Sequence, residues 1–143
     1  MKIRKLYTEP EIIDPVVFED GLNIILGEKD ESSNKTNGVG KSLCIEFINF
    51  ALLKQASDSR VKKIPKAIFS PQTNICLDII IGHENITIKR SLQDSEHPVF
   101  YLKEQTIVFQ KLEDATSYLG QKIFDNIDRH CPSFRAMMGP LIR

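Results

Sequence analysis

The hexapeptide Asn37-Gly38-Val39-Gly40-Lys41-Ser42 constrains this chain more than any other feature. Ahead of it, Leu22-Asn23-Ile24-Ile25-Leu26-Gly27 is a short apolar run closed by glycine, the pattern of a buried strand. Behind it, Lys41 to about Lys54 reads as a helix with a narrow polar stripe of Ser42, Glu46 and Asn49, so it is packed on most sides. Strand, glycine-rich loop and helix in succession form the setting of a phosphate-binding loop. Gly38 and Gly40 leave backbone amides free to approach phosphate oxygens, because no Cβ obstructs them. The helix that follows aims its first amides and its positive dipole end at the same place. Lys41 supplies an ammonium for β- and γ-phosphates, and Ser42 a hydroxyl for Mg²⁺.

Two things depart from the usual pattern. The residue five positions before Gly40 is Lys35 where a glycine is common, and the polar insert Glu28 to Thr36 separates Gly27 from Asn37. Hydrolysis needs more than these groups. It calls for an acidic pair after an apolar strand to hold Mg²⁺ and polarise water. Ile75-Cys76-Leu77-Asp78 comes nearest, but Ile79 follows it; Tyr118-Leu119-Gly120-Gln121 is a poor imitation of a Leu-Ser-Gly-Gly loop. The binding groups are visible and the hydrolytic ones are not. The chain by itself is expected to bind ATP without turning it over.

Elsewhere the pattern is β-rich. Ile3 to Tyr7 and Val16 to Phe18 read as strands. Residues 55–72 carry Arg60, Lys62, Lys63 and Lys66 and read as an exposed connection. Then the period changes to two: Ile75, Leu77, Ile79 and Ile81, a turn at Gly82-His83-Glu84-Asn85, and Ile86, Ile88 and Arg90. That is a hairpin. Val99–Leu102 and Gln105–Phe109 suggest a second, and Lys111 to about Phe124 a helix with Leu112, Ala115, Leu119 and Phe124 on its apolar face. The 143 residues suit a single domain, and 19 basic residues balance 19 acidic ones, so no global field draws nucleic acid. No apolar run is long enough to span a membrane, and three cysteines without C-x-x-C spacing suit a reducing cytoplasm. His83, His97 and His130 have no partners at metal-ligand spacing, and Cys44 is expected to be a packed thiol.

The order of these elements resembles the N-terminal lobe of an ABC-type ATPase of the SMC/RecN/RecF kind. The insert before the loop and Pro132-Ser133-Phe134-Arg135 are similar to a group of bacterial coiled-coil ATPases, some linked to defence systems. The resemblance implies an α/β fold class: a P-loop NTPase lobe with an antiparallel β-subdomain. It would form one ATP-binding lobe over 1–143, with 28–36 as a loop insert, 73–110 as the subdomain, and 111–143 leading toward a coiled coil. Asn37, Gly38, Val39, Gly40, Lys41 and Ser42 would hold ATP, joined by an arginine shortly after the first helix, for which Arg60 is the match. A glutamine would join Ser42 on Mg²⁺; Gln105, Gln110 and Gln121 qualify, and Gln110 is favoured. The resemblance also implies a C-terminal lobe beyond Arg143, or a homodimer mate, completing an ATPase that acts on DNA or a defence partner. Two other readings stand beside it: a non-catalytic interaction module that kept the loop, and a small P-loop kinase or GTPase.

Overall fold

The computed structural model describes residues 1–25, 40–64, 69–124 and 134–138. Six strands form one sheet: β1 (Lys2–Glu9), β2 (Val16–Val17), β3 (Asn74–Ile81), β4 (Glu84–Ser91), β5 (Val99–Tyr101) and β6 (Thr106–Val108). Their order across the sheet is β2-β1-β3-β4-β5-β6. Three α-helices accompany it: α1 (Lys41–Ala51), α2 (Leu112–Phe124) and the single-turn α3 (Phe134–Met138). Two 3-10 turns, Ala56–Asp58 and Arg60–Lys63, follow α1.

The alternation seen in the sequence decides the faces. Ile75, Leu77 and Ile79 of β3 and Ile86 and Ile88 of β4 turn to one side, where Leu6 and Phe100 join them from β1 and β5. Phe47, Ile48, Phe50 and Ala51 of α1 and Leu112, Ala115 and Leu119 of α2 close the same core. Helix α1 lies against β1, β3 and β4. Phe100, Phe109 and Tyr118 form an aromatic cluster that seats α2 at the β5 end of the sheet. The two expected hairpins are present as β3–β4 and β5–β6, in register Leu77↔Ile88 and Phe100↔Ile107.

The expected α/β class is not what forms. Every pair of strands among the described residues is antiparallel, so this is an antiparallel six-stranded sheet with few helices and not a P-loop NTPase lobe. The decisive segment is the apolar run ahead of the loop. Residues 22–25 form no strand, and Leu22 is 88% and Ile24 68% exposed. The Asn23 side chain accepts from the Glu19 amide and donates to the Glu19 and Gly21 carbonyls, closing a turn where a strand was expected. Both edges of β1 are also taken, by β2 and β3. Apolar composition favours burial, but a run becomes a strand only where a neighbouring edge takes its backbone hydrogen bonds.

The connection after α1 is also less exposed than its charges suggest. Ala56, Ser59, Val61 and Phe69 are buried, while Arg60 and Lys62 stay at the surface. Lys66 lies outside the described residues, as do Leu26, Gly27, the 28–36 insert and His130. No helix among the described residues is long and apolar enough to cross a membrane.

Candidate functional site

Of the six residues of the phosphate-binding motif, Asn37, Gly38 and Val39 lie outside the described residues. Gly40, Lys41 and Ser42 stand at the start of α1. Gly40 is the N-cap with φ of 73°, a left-handed conformation that a side chain would disfavour. Being glycine, it offers no side-chain cap, and the first turn holds no acidic residue. Among the described residues no side chain caps its first amides, so the helix presents them and its positive end beside two exposed side chains, the Lys41 ammonium and the Ser42 hydroxyl. That arrangement favours an anion. A cleft of about 200 Å³ adjoins it, walled by Leu6, Ile13, Val16, Leu43 and Phe47, with Asp14 as its one acidic residue among the described residues.

The structure does not bring every predicted residue to this place. Neither Arg60 nor Gln110 lines the cleft. Arg60 is exposed on the second 3-10 turn, and Gln110 is exposed in the bend between β6 and α2. No group of three His, Cys, Asp or Glu residues able to hold a metal ion occurs among the described residues. Asp78, the nearest approach to a hydrolytic acid, accepts a hydrogen bond from the Thr87 hydroxyl at 2.6 Å, on the face of the sheet away from the core. Cys44 and Cys76 are buried thiols, and burial pushes Cys76 up to about 12, so neither serves as a nucleophile at neutral pH.

The polar stripe of α1 does unexpected things. Only Ser42 faces solvent. Glu46 is turned against the following connection, where its carboxylate accepts from the Ser59 hydroxyl (3.2 Å), the Arg60 amide (3.3 Å) and the Lys54 ammonium (3.4 Å). Glu46 thereby ties the start of the second 3-10 turn, at Arg60, to α1. Burial raises the Glu46 pKa, but the Arg60 amide, Lys54 and Ser59 outweigh it and hold the carboxyl below its ordinary value of 4.5. A depressed carboxyl contributes stability that is present above the unfolded-state value and is lost as pH falls through the folded one. Glu46→Gln should thus cost about 1 kcal/mol at pH 7, and the penalty should shrink below pH 4.5. Urea titrations of both proteins across that window test this, and a pH-independent penalty would refute it.

Two arginines at the far end of α1 were not singled out by their chemistry in the sequence. Arg90 of β4 is fully buried and donates through Nη1 to the Phe50 and Lys54 carbonyls, both at 2.6 Å, and through Nε to the Ser95 carbonyl at 2.7 Å. Its guanidinium also lies 4.2 Å over the Phe50 ring. Arg135 of α3 donates to the Leu52 carbonyl and to Asn49 Oδ1, each at 3.1 Å. The signal for Arg90 was available: it continues the inward parity of Ile86 and Ile88. Arg135 had no such signal, because its partners are more than eighty residues away.

Comparison with known proteins gives two likenesses. The chain is 38% identical over 77 residues, 54% of its length, to "Uncharacterized protein YydD" of Bacillus subtilis (strain 168). It is 29% identical over 114 residues, 76% of its length, to the "DNA double-strand break repair Rad50 ATPase" of Thermoplasma acidophilum. These stretches are 13% and 12% of the two relatives, so the chain spans about an eighth of each. No family model matches, and no solved structure matches. The chain thus has a distant likeness to an SMC-like ATPase and no finer assignment.

Proposed function

We propose that this chain supplies the phosphate-binding element of a larger SMC-like ATPase, holding ATP with Mg²⁺ at Gly40, Lys41 and Ser42. The observation that carries the proposal is the start of α1, a helix with a left-handed glycine cap, no first-turn acid, and an exposed lysine and serine as its first two residues. The distant likeness to a Rad50 ATPase supports it, since the matched 114 residues are an eighth of a protein named for that activity. Lys41 would offset phosphate charge, and Ser42 would offer its hydroxyl to Mg²⁺. Hydrolysis, and any action on DNA or on a defence partner, belongs in this reading to the longer protein. A C-terminal lobe of that longer protein would supply the missing acid and signature loop, and a homodimer mate of the longer protein would complete the site.

Lys41→Ala should weaken binding of ATP–Mg²⁺ more than tenfold, about 1.4 kcal/mol or more. The folded state should be unaffected, because an exposed lysine at a helix start contributes little to the core. Titration calorimetry on the full chain, with and without Mg²⁺, measures both affinities. Equal affinity in mutant and wild type would remove the phosphate site. No binding by either would favour the interaction-module reading, for which the exposed Leu22 and Ile24 are the supporting feature.

A further inference from the structure

The two ends of α1 make opposite electrostatic demands, and the chain answers them with residues from distant parts of the sequence. At the N-terminus stand Lys41 and Ser42, open to an anion. At the C-terminus two guanidinium groups, Arg90 and Arg135, hold the carbonyls of Phe50, Leu52 and Lys54 and the side chain of Asn49. Neither arginine meets a carboxylate among the described residues. Their direct counter-charge is the negative end of the helix, and Glu96 adds a longer-range attraction on Arg90. Just beyond the Leu52 cap, Leu53 ends the helix at φ of 67°, a left-handed conformation that bulky residues resist.

The two arginines differ in what stands behind them. Arg90 is rooted in the central sheet and tied to Ser95. Arg135 belongs to the five-residue α3, too short to be stable alone. That helix packs on α2, buries Phe134 to 1% exposure, and reaches the end of α1 through the two bonds of Arg135. Its hold on α1, as distinct from α2, therefore depends on those two acceptors staying in place at the end of α1. An anion at one end of α1 and cations at the other both stabilise the fully formed helix, which spans about 16 Å and is buried along most of its length.

We propose that α1 couples its N-terminal phosphate site to the docking of α3 through the Arg90–Arg135 clasp. This rests on the phosphate-binding reading above. ATP–Mg²⁺ at Gly40–Ser42 tightens α3 on the end of α1, and docked α3 tightens ATP–Mg²⁺ by the same factor, since such coupling is reciprocal. Arg135 is then a positioning residue, acting on the nucleotide only through the helix. Whatever follows α3 in a longer protein would sense nucleotide by this route.

Trypsin provides the test, because it cuts after Arg135 only when that side chain has left Leu52 and Asn49. Cleavage after the exposed Lys103, between β5 and β6, is the internal control. In the full chain, saturating ATP–Mg²⁺ should slow cleavage after Arg135 about fivefold and leave the Lys103 site unchanged. Arg135→Lys keeps a cleavable site but cannot span both acceptors. It should be cut faster, lose the response to ATP–Mg²⁺ and bind ATP–Mg²⁺ about fivefold more weakly. Asn49→Ala, which keeps Arg135 and removes one acceptor, should behave the same way. If calorimetry shows ATP–Mg²⁺ bound while the Arg135 site is cut at an unchanged rate, the coupling is overturned and the phosphate site stands. Equal slowing at both sites would mean global stabilisation and would also overturn it. Absence of ATP binding would remove both.

Discussion

Arg90→Met is expected to destabilise the chain by about 3 kcal/mol, the largest polar effect in the molecule. Arg90 is the bulkiest fully buried side chain, and three of its hydrogen bonds end on backbone carbonyls at 2.6–2.7 Å. Burial brings its pKa down to about 10, with Glu96 opposing and Arg135 adding to the shift, so the guanidinium remains charged at neutral pH. Methionine fills similar volume and spares the cost of burying a cation. It offers no donor to Lys54 and Ser95, whereas Phe50 keeps the Leu53 amide, and each buried acceptor left unpaired costs about 1–3 kcal/mol. The gain from removing the charge offsets part of that sum. Nη2 has no partner among the described residues, so it adds nothing to the loss. Arg90→Lys should recover only a fraction, since an ammonium cannot reach acceptors on both α1 and the Ser95 loop in the guanidinium's fork. Urea unfolding followed by circular dichroism gives both values. A loss below about 1 kcal/mol for Arg90→Met would mean that water replaces the guanidinium at those carbonyls.

Phe47→Ala should cost about 3–5 kcal/mol, the largest apolar effect. Phe47 is fully buried and meets Phe69 edge to face at a centroid distance of 5.5 Å and an interplanar angle of 82°. Truncation removes the transfer energy of the ring, the aromatic pair and the support of the surrounding core. The same ring walls the cleft beside Gly40 and Lys41, so truncation also opens the floor of the candidate phosphate site. Against a whole-domain stability of about 5–15 kcal/mol, the variant should be marginal at 37 °C. The denaturation midpoint in urea is the direct measurement. A change of less than about 2 kcal/mol would show that the neighbouring side chains collapse into the space.

Much of the local structure was legible in the sequence. The period-two alternation of residues 75–90 marked a hairpin, and the structure puts Arg90 on its inward side with Ile86 and Ile88. The apolar spacing after Lys41 and after Lys111 marked α1 and α2. What failed was the step from local pattern to sheet class. Leu22 to Ile25 has the composition of a buried strand, yet among the described residues no edge is left for it beside β1. The candidate site was half legible: the start of α1 is where the motif put it, whereas Arg60 and Gln110 do not reach its cleft.

The sequence by itself determined the periodicities, the turns and the chemistry at the start of α1, because these depend on residues within a few positions of one another. Only the tertiary structure decided that the strands form a single antiparallel sheet, that Glu46 holds the Arg60 turn, and that two arginines close the end of α1. Arg90 is 40 residues from Phe50 and Arg135 is 86 from Asn49. Nothing local selects such partners. They are chosen by which carbonyls remain unpaired when the helix ends inside the core, and that is known only once the core has formed.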